Sequence, residues 1–215
     1  MSTPQTTVVH LLRHGEVENP TRVLYGRLPG FRLSRRGQAM ARLAADHLGD
    51  HDIVHVASSP LDRARQTAEP IASDRGLPVT TDERLVEADN WFEGTVVGQG
   101  DGILKNPRAW AKLINPFKPS WGEPYEQIAA RMLAAIADAR ALAQGHEAVL
   151  VSHQLPVWTA RSKLEGHRLW HDPRRRVCAL ASLTSLHYQG DALLSVEYTE
   201  PAAALLPGAG QGAGA

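Results

Sequence analysis

Short apolar runs alternate along the chain with longer stretches in which apolar residues recur every third or fourth position. Val8 to Leu12, Ile53 to Ser58 and Ala148 to His153 show almost no polar alternation, the pattern of strands covered on both faces in a parallel sheet. Between them the spacing predicts helices. Ser34 stands where it can cap a helix over Arg35 to Leu48, with Met40, Leu43, Ala44 and Leu48 on one face. Ser59 and Pro60 read as the cap and first turn of a second helix that turns Leu61, Ala64, Ala68 and Ile71 inward and ends near Gly76. Gly122, Glu123 and Pro124 open a long helix through Ile128, Met132, Ile136 and Ala139 or Arg140, closing before Gly145, and a shorter helix covers Leu155 to Leu164. "LPVTTDERL" predicts a short strand. "CALASLTSLHY" and "ALLSVEY", parted by Gly190 and Asp191, predict a hairpin at the sheet edge. Strands alternating with helices imply an α/β fold with a doubly wound, mostly parallel sheet.

At 215 residues the chain suits one such domain, here residues 1–200. The tail "PAAALLPGAGQGAGA", residues 201–215, is too rich in glycine, alanine and proline to pack and is expected to be disordered. The 23 basic and 23 acidic residues cancel, so no overall field recruits nucleic acid or an anionic membrane surface, and any basic site is local. Cys178 has no partner cysteine, which excludes a disulfide framework or a thiolate zinc cluster and suits a reducing cytoplasm. "MSTPQTT" lacks the basic opening and apolar stretch of a signal peptide, and no run reaches the ~18 apolar residues of a membrane helix. The expectation is a soluble cytoplasmic protein, with no signature of its oligomeric state.

In doubly wound sheets ligands gather at the carboxyl ends of the strands. Arg13 and His14 end the first predicted strand, Ser58 and Ser59 the second and His153 the third, while Arg63 lies on the first turn of its helix. "SSPLDRARQTA" holds two arginines and no lysine. Arg13, His14, Arg63 and His153 together describe a trap for a dianion, because guanidinium forks match phosphate oxygens in pairs. A neutral imidazole can attack an electrophile at neutral pH, so His14 is the candidate nucleophile. Phosphoryl transfer asks mainly for positioning and charge stabilisation, which Arg13, Arg63 and His153 can supply. Glu87, in "RLVEADN", is the candidate acid and base, since crowding by phosphate and apolar neighbours raises a carboxyl pKa. Glu83, Asp89 and Glu93 lie close by as rivals.

Other residues have blander readings. Glu16 caps backbone or pairs with an arginine, and Arg65 belongs to the surface. His167 and His171 stand four apart in "GHRLWH", but no third ligand is evident and Pro173 follows, so no metal site is assigned. Arg174 to Arg176 read as a solvated run able to rim the crevice. Trp91, Phe92, Trp110, Phe117 and Trp121 read as core or lid packing, since they are not interleaved with basic residues.

"LLRHGE", "SSPLDRARQTA", "RLVEADNWFEG" and "VSHQLP", in this order over Leu11 to Pro156, resemble the histidine phosphatase superfamily, in its phosphoglycerate mutase-like branch. Four ordered motifs are a specific signal. The resemblance implies a three-layer α/β/α sandwich and a phosphohistidine intermediate on His14. It further implies phosphate ligands Arg13, Arg63 and His153, a proton donor in Glu87, and no metal or other cofactor. Asn19, Tyr25 and Gly26 resemble the family's substrate-loop positions, with Asn19 one residue nearer the histidine than usual. Gln154 stands where the family commonly has glycine, so its side chain can narrow the pocket or touch substrate. "SWGEPYEQIAARM" resembles the stretch before the family's long helix, with Pro124 at a usual serine.

The expected activity is metal-independent hydrolysis of a small phosphorylated metabolite. The nearest alternative is a mutase that returns the phosphoryl group to a second hydroxyl. Cofactor-dependent mutases carry a longer insertion with paired arginines, whereas Asp89 to Pro119 has isolated Lys105, Arg108, Lys112 and Lys118. A non-catalytic phosphate-binding module is the other alternative, and a phosphoprotein substrate also stays open.

Overall fold

β1 (Thr6–Arg13) is buried from Thr7 onward because both of its faces are covered. Val9 and Leu11 pack to one side, while Leu12 packs to the other. The computed structural model describes residues 6–96 and 122–209. Among them are four α-helices, α1 (Arg35–His47), α2 (Asp62–Ser73), α3 (Tyr125–Leu142) and α4 (Gln154–Leu164). The remaining strands are β2 (Ile53–Ser58), β3 (Val79–Thr81), β4 (Glu147–Ser152), β5 (Leu183–Gln189) and β6 (Ala192–Thr199). They form one six-stranded sheet in the order β3-β2-β4-β1-β5-β6. The first four of that order run parallel, and the β5–β6 hairpin closes the edge antiparallel.

Both faces of the sheet are apolar for the reason that the unbroken runs suggest. Ala148 and Leu150 of β4 meet Ile128, Met132 and Ile136 of α3 and Val157 of α4. Val149 and Val151 meet Ala44 of α1 and Ala64, Ala68 and Ile71 of α2 on the opposite face. The result is an α/β/α sandwich in which β4 and β1, side by side at the centre, are fully walled in. In register, Arg13 of β1 pairs with Ser152 of β4, so the two central strands end level. Among the described residues no helix is long and apolar enough to cross a membrane.

Ser34 caps α1 as expected, accepting from Gly37 N at 3.0 Å. The start of α2 needs correction. It begins at Asp62, with Leu61 as the residue preceding it and no side-chain cap, not at Ser59 and Pro60; the Ser59 hydroxyl accepts from Leu61 N at 3.4 Å and pairs with His153 Nε2 at 2.8 Å. The tail also needs correction, for residues 201–209. Ala202 and Ala209 are buried against Met40, Leu180 and Ala181, and a 3-10 turn spans Ala203–Leu205. Small alanine side chains fill a niche beside α1 and a bend that glycine and proline permit, so this composition packs. Residues 210–215 lie outside the described residues, as do Trp110, Phe117, Trp121, Lys105, Arg108, Lys112 and Lys118.

At the start of β4, away from those strand tips, Glu147 Oε2 accepts from His10 Nε2 and from His51 Nδ1, each at 2.7 Å. Burial alone would raise this carboxyl, but the two imidazole hydrogen bonds outweigh it and bring its pKa down from 4.5 to about 2. A carboxylate whose pKa falls on folding stabilises the protein above its unfolded pKa and loses that effect as pH drops through the folded one. Denaturant titrations are expected to show stability declining between pH 4.5 and about 2. Glu147→Gln should cost ~1–3 kcal/mol at neutral pH and flatten that acid limb; an acid limb unaltered in the variant contradicts the assignment.

Candidate active site

Three strand ends and one loop converge above the carboxyl edge of the sheet. Arg13 ends β1, and His14 follows with its backbone N donating to Ser152 O at 3.1 Å and its carbonyl accepting from Ala181 N at 3.3 Å. Ala181 holds a left-handed φ of 53°, a conformation costing an alanine ~1–2 kcal/mol, so the surrounding packing enforces it where it secures His14. The next residue is glycine for a steric reason. A Cβ on Gly15 would lie 2.6 Å from Gly37 O, and one on Gly37 would lie 2.0 Å from Glu16 O. His153 follows Ser152 as the residue immediately before α4. Arg63 is the second residue of α2 and is fully buried.

Glu87 arrives on the loop after a 3-10 turn, Glu83–Leu85, whose placement depends on distant partners. Ser152 Oγ donates to Leu85 O at 2.7 Å, Arg131 Nη1 to Arg84 O at 2.5 Å, and Arg27 Nε to the carbonyl of Glu87 at 2.7 Å. The Glu87 carboxyl accepts from Ala88 N through Oε1 at 2.8 Å. Its burial, with 4% exposure, separates it from Glu83 and Asp89.

His14 and His153 meet edge to face, ring centroids 5.1 Å apart. His14 Nδ1 lies 2.8 Å from Gly15 O. A carbonyl can only accept, so Nδ1 carries the proton and, in the neutral ring, Nε2 holds a free lone pair. The ring stays neutral because burial, followed by Arg63 and Arg13, pushes its pKa well below the usual histidine value. Burial and Arg63 do the same to His153. Burial raises Glu87 against the opposing effects of the Ala88 N–H, Arg63, Arg176 and Arg13.

Arg13 Nη1 donates to Cys178 O at 2.7 Å and Arg63 Nη2 to Gly26 O at 2.5 Å. The Arg63 guanidinium lies 4.6 Å from the centre of the Tyr25 ring, which stacks on Phe31. Tyr25 and Gly26 therefore hold Arg63. Asn19, by contrast, turns to its own loop: its amide donates to Val23 O at 2.8 Å and accepts from Val23 N at 3.0 Å. Gln154 begins α4 beside His153, with Oε1 3.5 Å from Arg176 Nη1.

Among the described residues, eight buried side-chain nitrogens and oxygens lack a hydrogen-bond partner, and five of them are Arg13 Nε, His14 Nε2, Arg63 Nε, Glu87 Oε2 and His153 Nδ1. Buried polar atoms are almost always paired. Five orphans on five convergent side chains, cationic in sum, mark a site built for an oxyanion. The family model of the Histidine phosphatase superfamily (branch 1) matches residues 9–200. The chain belongs to this superfamily.

Its histidine phosphatase relatives include both phosphatases and mutases by name. "Uncharacterized protein Rv0525" of Mycobacterium tuberculosis (strain ATCC 25618 / H37Rv) is 61% identical over 200 residues, 93% of this chain and 99% of that protein. A probable phosphoglycerate mutase, GpmB, of Salmonella choleraesuis (strain SC-B67) is 30% identical over 186 residues, 84% of this chain and 85% of GpmB. Among solved structures, the mycobacterial glucosyl-3-phosphoglycerate phosphatase Rv2419c has a TM-score of 0.71 at 26% identity, covering 91% of this chain and 97% of that one.

Within this member of the superfamily, several supports escaped the sequence. Ser59 holds His153, Thr67 Oγ1 accepts from Gly15 N at 3.2 Å, and the Cys178 carbonyl anchors Arg13. None has a local pattern to announce it. Arg65 is exposed, and Glu16 lies 3.6 Å from Arg36 while accepting from Ser34 Oγ, both as read. His167 and His171 do not share a metal-ligand group of three or more among the described residues. Both His171 nitrogens are engaged, Nδ1 by Leu169 O and Nε2 by Arg176.

Proposed function

We propose that the chain is a metal-independent phosphatase that hydrolyses a small phosphomonoester through a phosphohistidine on His14. The observation that carries this reading is the buried, unpaired Nε2 lone pair of His14 among the unpaired donors of Arg13 and Arg63. The substrate phosphoryl group binds to Arg13, Arg63 and His153; with the Ser59 hydroxyl donating to its Nε2, His153 turns Nδ1–H toward the phosphate. Nε2 of His14 attacks phosphorus, the bond to the ester oxygen breaks, and protonated Glu87 gives its proton to the departing alkoxide. A water then attacks the phosphorus of phosphohistidine while the Glu87 carboxylate takes its proton, and His14 leaves with the N–P electron pair. Guanidiniums supply the charge stabilisation that such a transfer requires, so no step calls on a metal. Small anionic phosphoesters are the matching substrate class, as the name of the glucosyl-3-phosphoglycerate phosphatase relative illustrates.

Mutase chemistry shares the first half-reaction and is the second reading, favoured by the identity with GpmB. One assay separates them: inorganic phosphate release from p-nitrophenyl phosphate and from several sugar phosphates in excess chelator, with and without a bisphosphate primer. Release without primer supports hydrolysis. Primer-dependent isomerisation with negligible release supports the mutase, and no turnover of any phosphoester supports a binding module.

Arg63→Lys tests the clamp itself. Lysine keeps the charge but loses the fork, the bond to Gly26 O and the stacking on Tyr25. kcat/KM is expected to fall by about 10²-fold or more, and a loss smaller than about three-fold contradicts a bidentate role.

A further inference from the structure

Arg174 and Arg175 are exposed, as the solvated run predicts, but Arg176 turns inward after the 3-10 turn Pro173–Arg175. Its Nε donates to His171 Nε2 at 2.8 Å, while His171 Nδ1 lies 2.6 Å from Leu169 O. Because that carbonyl can only accept, Nδ1 is protonated and Nε2 is free to receive Arg176. The Tyr125 and Trp158 rings flank His171 at 5.6 and 5.7 Å. The imidazole is thus a neutral, packed bracket that fixes one edge of the guanidinium.

The other edge faces the reacting centre. Arg176 Nη1 approaches Gln154 Oε1, next to His153. Two residues beyond Arg176, the Cys178 carbonyl holds Arg13. Glu87 feels Arg176 together with Arg63 and Arg13. The hydrogen-bond partners of Arg176 among the described residues are His171, Gln154 and Tyr125, and the one carboxylate that acts on it, Glu87, does so through space. A phosphoryl dianion already has Arg13 and Arg63, so a third, half-buried cation acting on Glu87 exceeds what the phosphoryl group requires. Glu87 protonates the leaving oxygen, so this surplus cation lies on the leaving-group side.

We propose that Arg176, bracketed by His171 and Gln154, binds a second anionic group, a carboxylate or a second phosphate, on the leaving-group part of the substrate. The inference rests on the phosphatase reading for its orientation and narrows the substrate class to phosphoesters with two anionic groups.

Calorimetry on the full chain carrying His14→Ala, which prevents turnover, tests it with two matched pairs. One is glycerol 3-phosphate against 3-phosphoglycerate, which adds a carboxylate. The other is fructose 6-phosphate against fructose 1,6-bisphosphate, which adds a phosphate. In at least one pair the added anion should tighten Kd by about ten- to a hundred-fold, and the pair that responds identifies the anion. Adding Arg176→Gln should collapse that ratio to within about two-fold, with Arg176→Lys intermediate. Equal affinities within both pairs, a ratio that survives Arg176→Gln, or equal weakening of both members of a pair would overturn the subsite. Wild-type turnover of p-nitrophenyl phosphate reports separately on the phosphatase reading: a preserved binding ratio without turnover supports the subsite while removing the hydrolysis.

Discussion

His14→Ala is expected to lower phosphate release from p-nitrophenyl phosphate by on the order of 10⁴-fold or more, and to remove any phosphate adduct detectable on the chain by mass spectrometry. The expectation is this large because His14 carries the only protein nucleophile in the proposed reaction, and a water placed directly against the phosphoester lacks the covalent route. The variant should still fold. The one side-chain hydrogen bond of His14 runs to the carbonyl of its own neighbour, Gly15, whereas its backbone bonds to Ser152 and Ala181 do not involve the imidazole. Circular dichroism and thermal melting check that point. Activity retained within about ten-fold would remove the phosphohistidine route.

Glu87→Gln should divide substrates by leaving group. Alkyl phosphates release a strongly basic alkoxide and are expected to slow by about 10²- to 10⁴-fold, whereas p-nitrophenyl phosphate, whose leaving group scarcely needs a proton, slows far less. An equal loss on both substrates argues for a structural role instead. The pH profile gives an independent test, because the two reacting groups are displaced in opposite senses. Burial with Arg63 and Arg13 lowers His14, so its lone pair is available on the acid side. Burial raises Glu87, so its proton persists to higher pH than on an ordinary carboxyl. Between these limits the nucleophile is free and the acid is loaded. The rate on alkyl phosphates should fall as pH rises through the Glu87 pKa, and Glu87→Gln should abolish that alkaline limb.

Much of the site was legible because it lies at strand tips. An apolar run that stops on Arg13 and His14, or on His153, declares both the strand and the polar cluster at its end, and Arg63 follows from the first turn of the next helix. Glu87 was harder, since its place depends on bonds from Ser152 and Arg27, far away in sequence. Motif resemblance selected it where local chemistry left Glu83, Asp89 and Glu93 in contention. Ser59 misled for an instructive reason: a serine before a proline is good cap chemistry, yet its hydroxyl serves His153. Arg176 was hidden within three consecutive arginines, because only the turn after Pro173 distinguishes the inward one from the outward two. The tail misled through composition. Alanine-rich sequence predicts little core, but Ala202 and Ala209 needed only a shallow niche beside Met40.

The abutment of Gly15 and Gly37 bears on how this molecule can diverge. A methyl group at either position would strike main-chain atoms, at 2.6 and 2.0 Å, and no neighbouring side chain can be trimmed to make room. Mutational drift is therefore blocked at the joint between the first strand and the first helix. The proposed anion subsite of His171, Gln154 and Arg176 is built instead from side-chain contacts, which substitution can replace without moving the main chain.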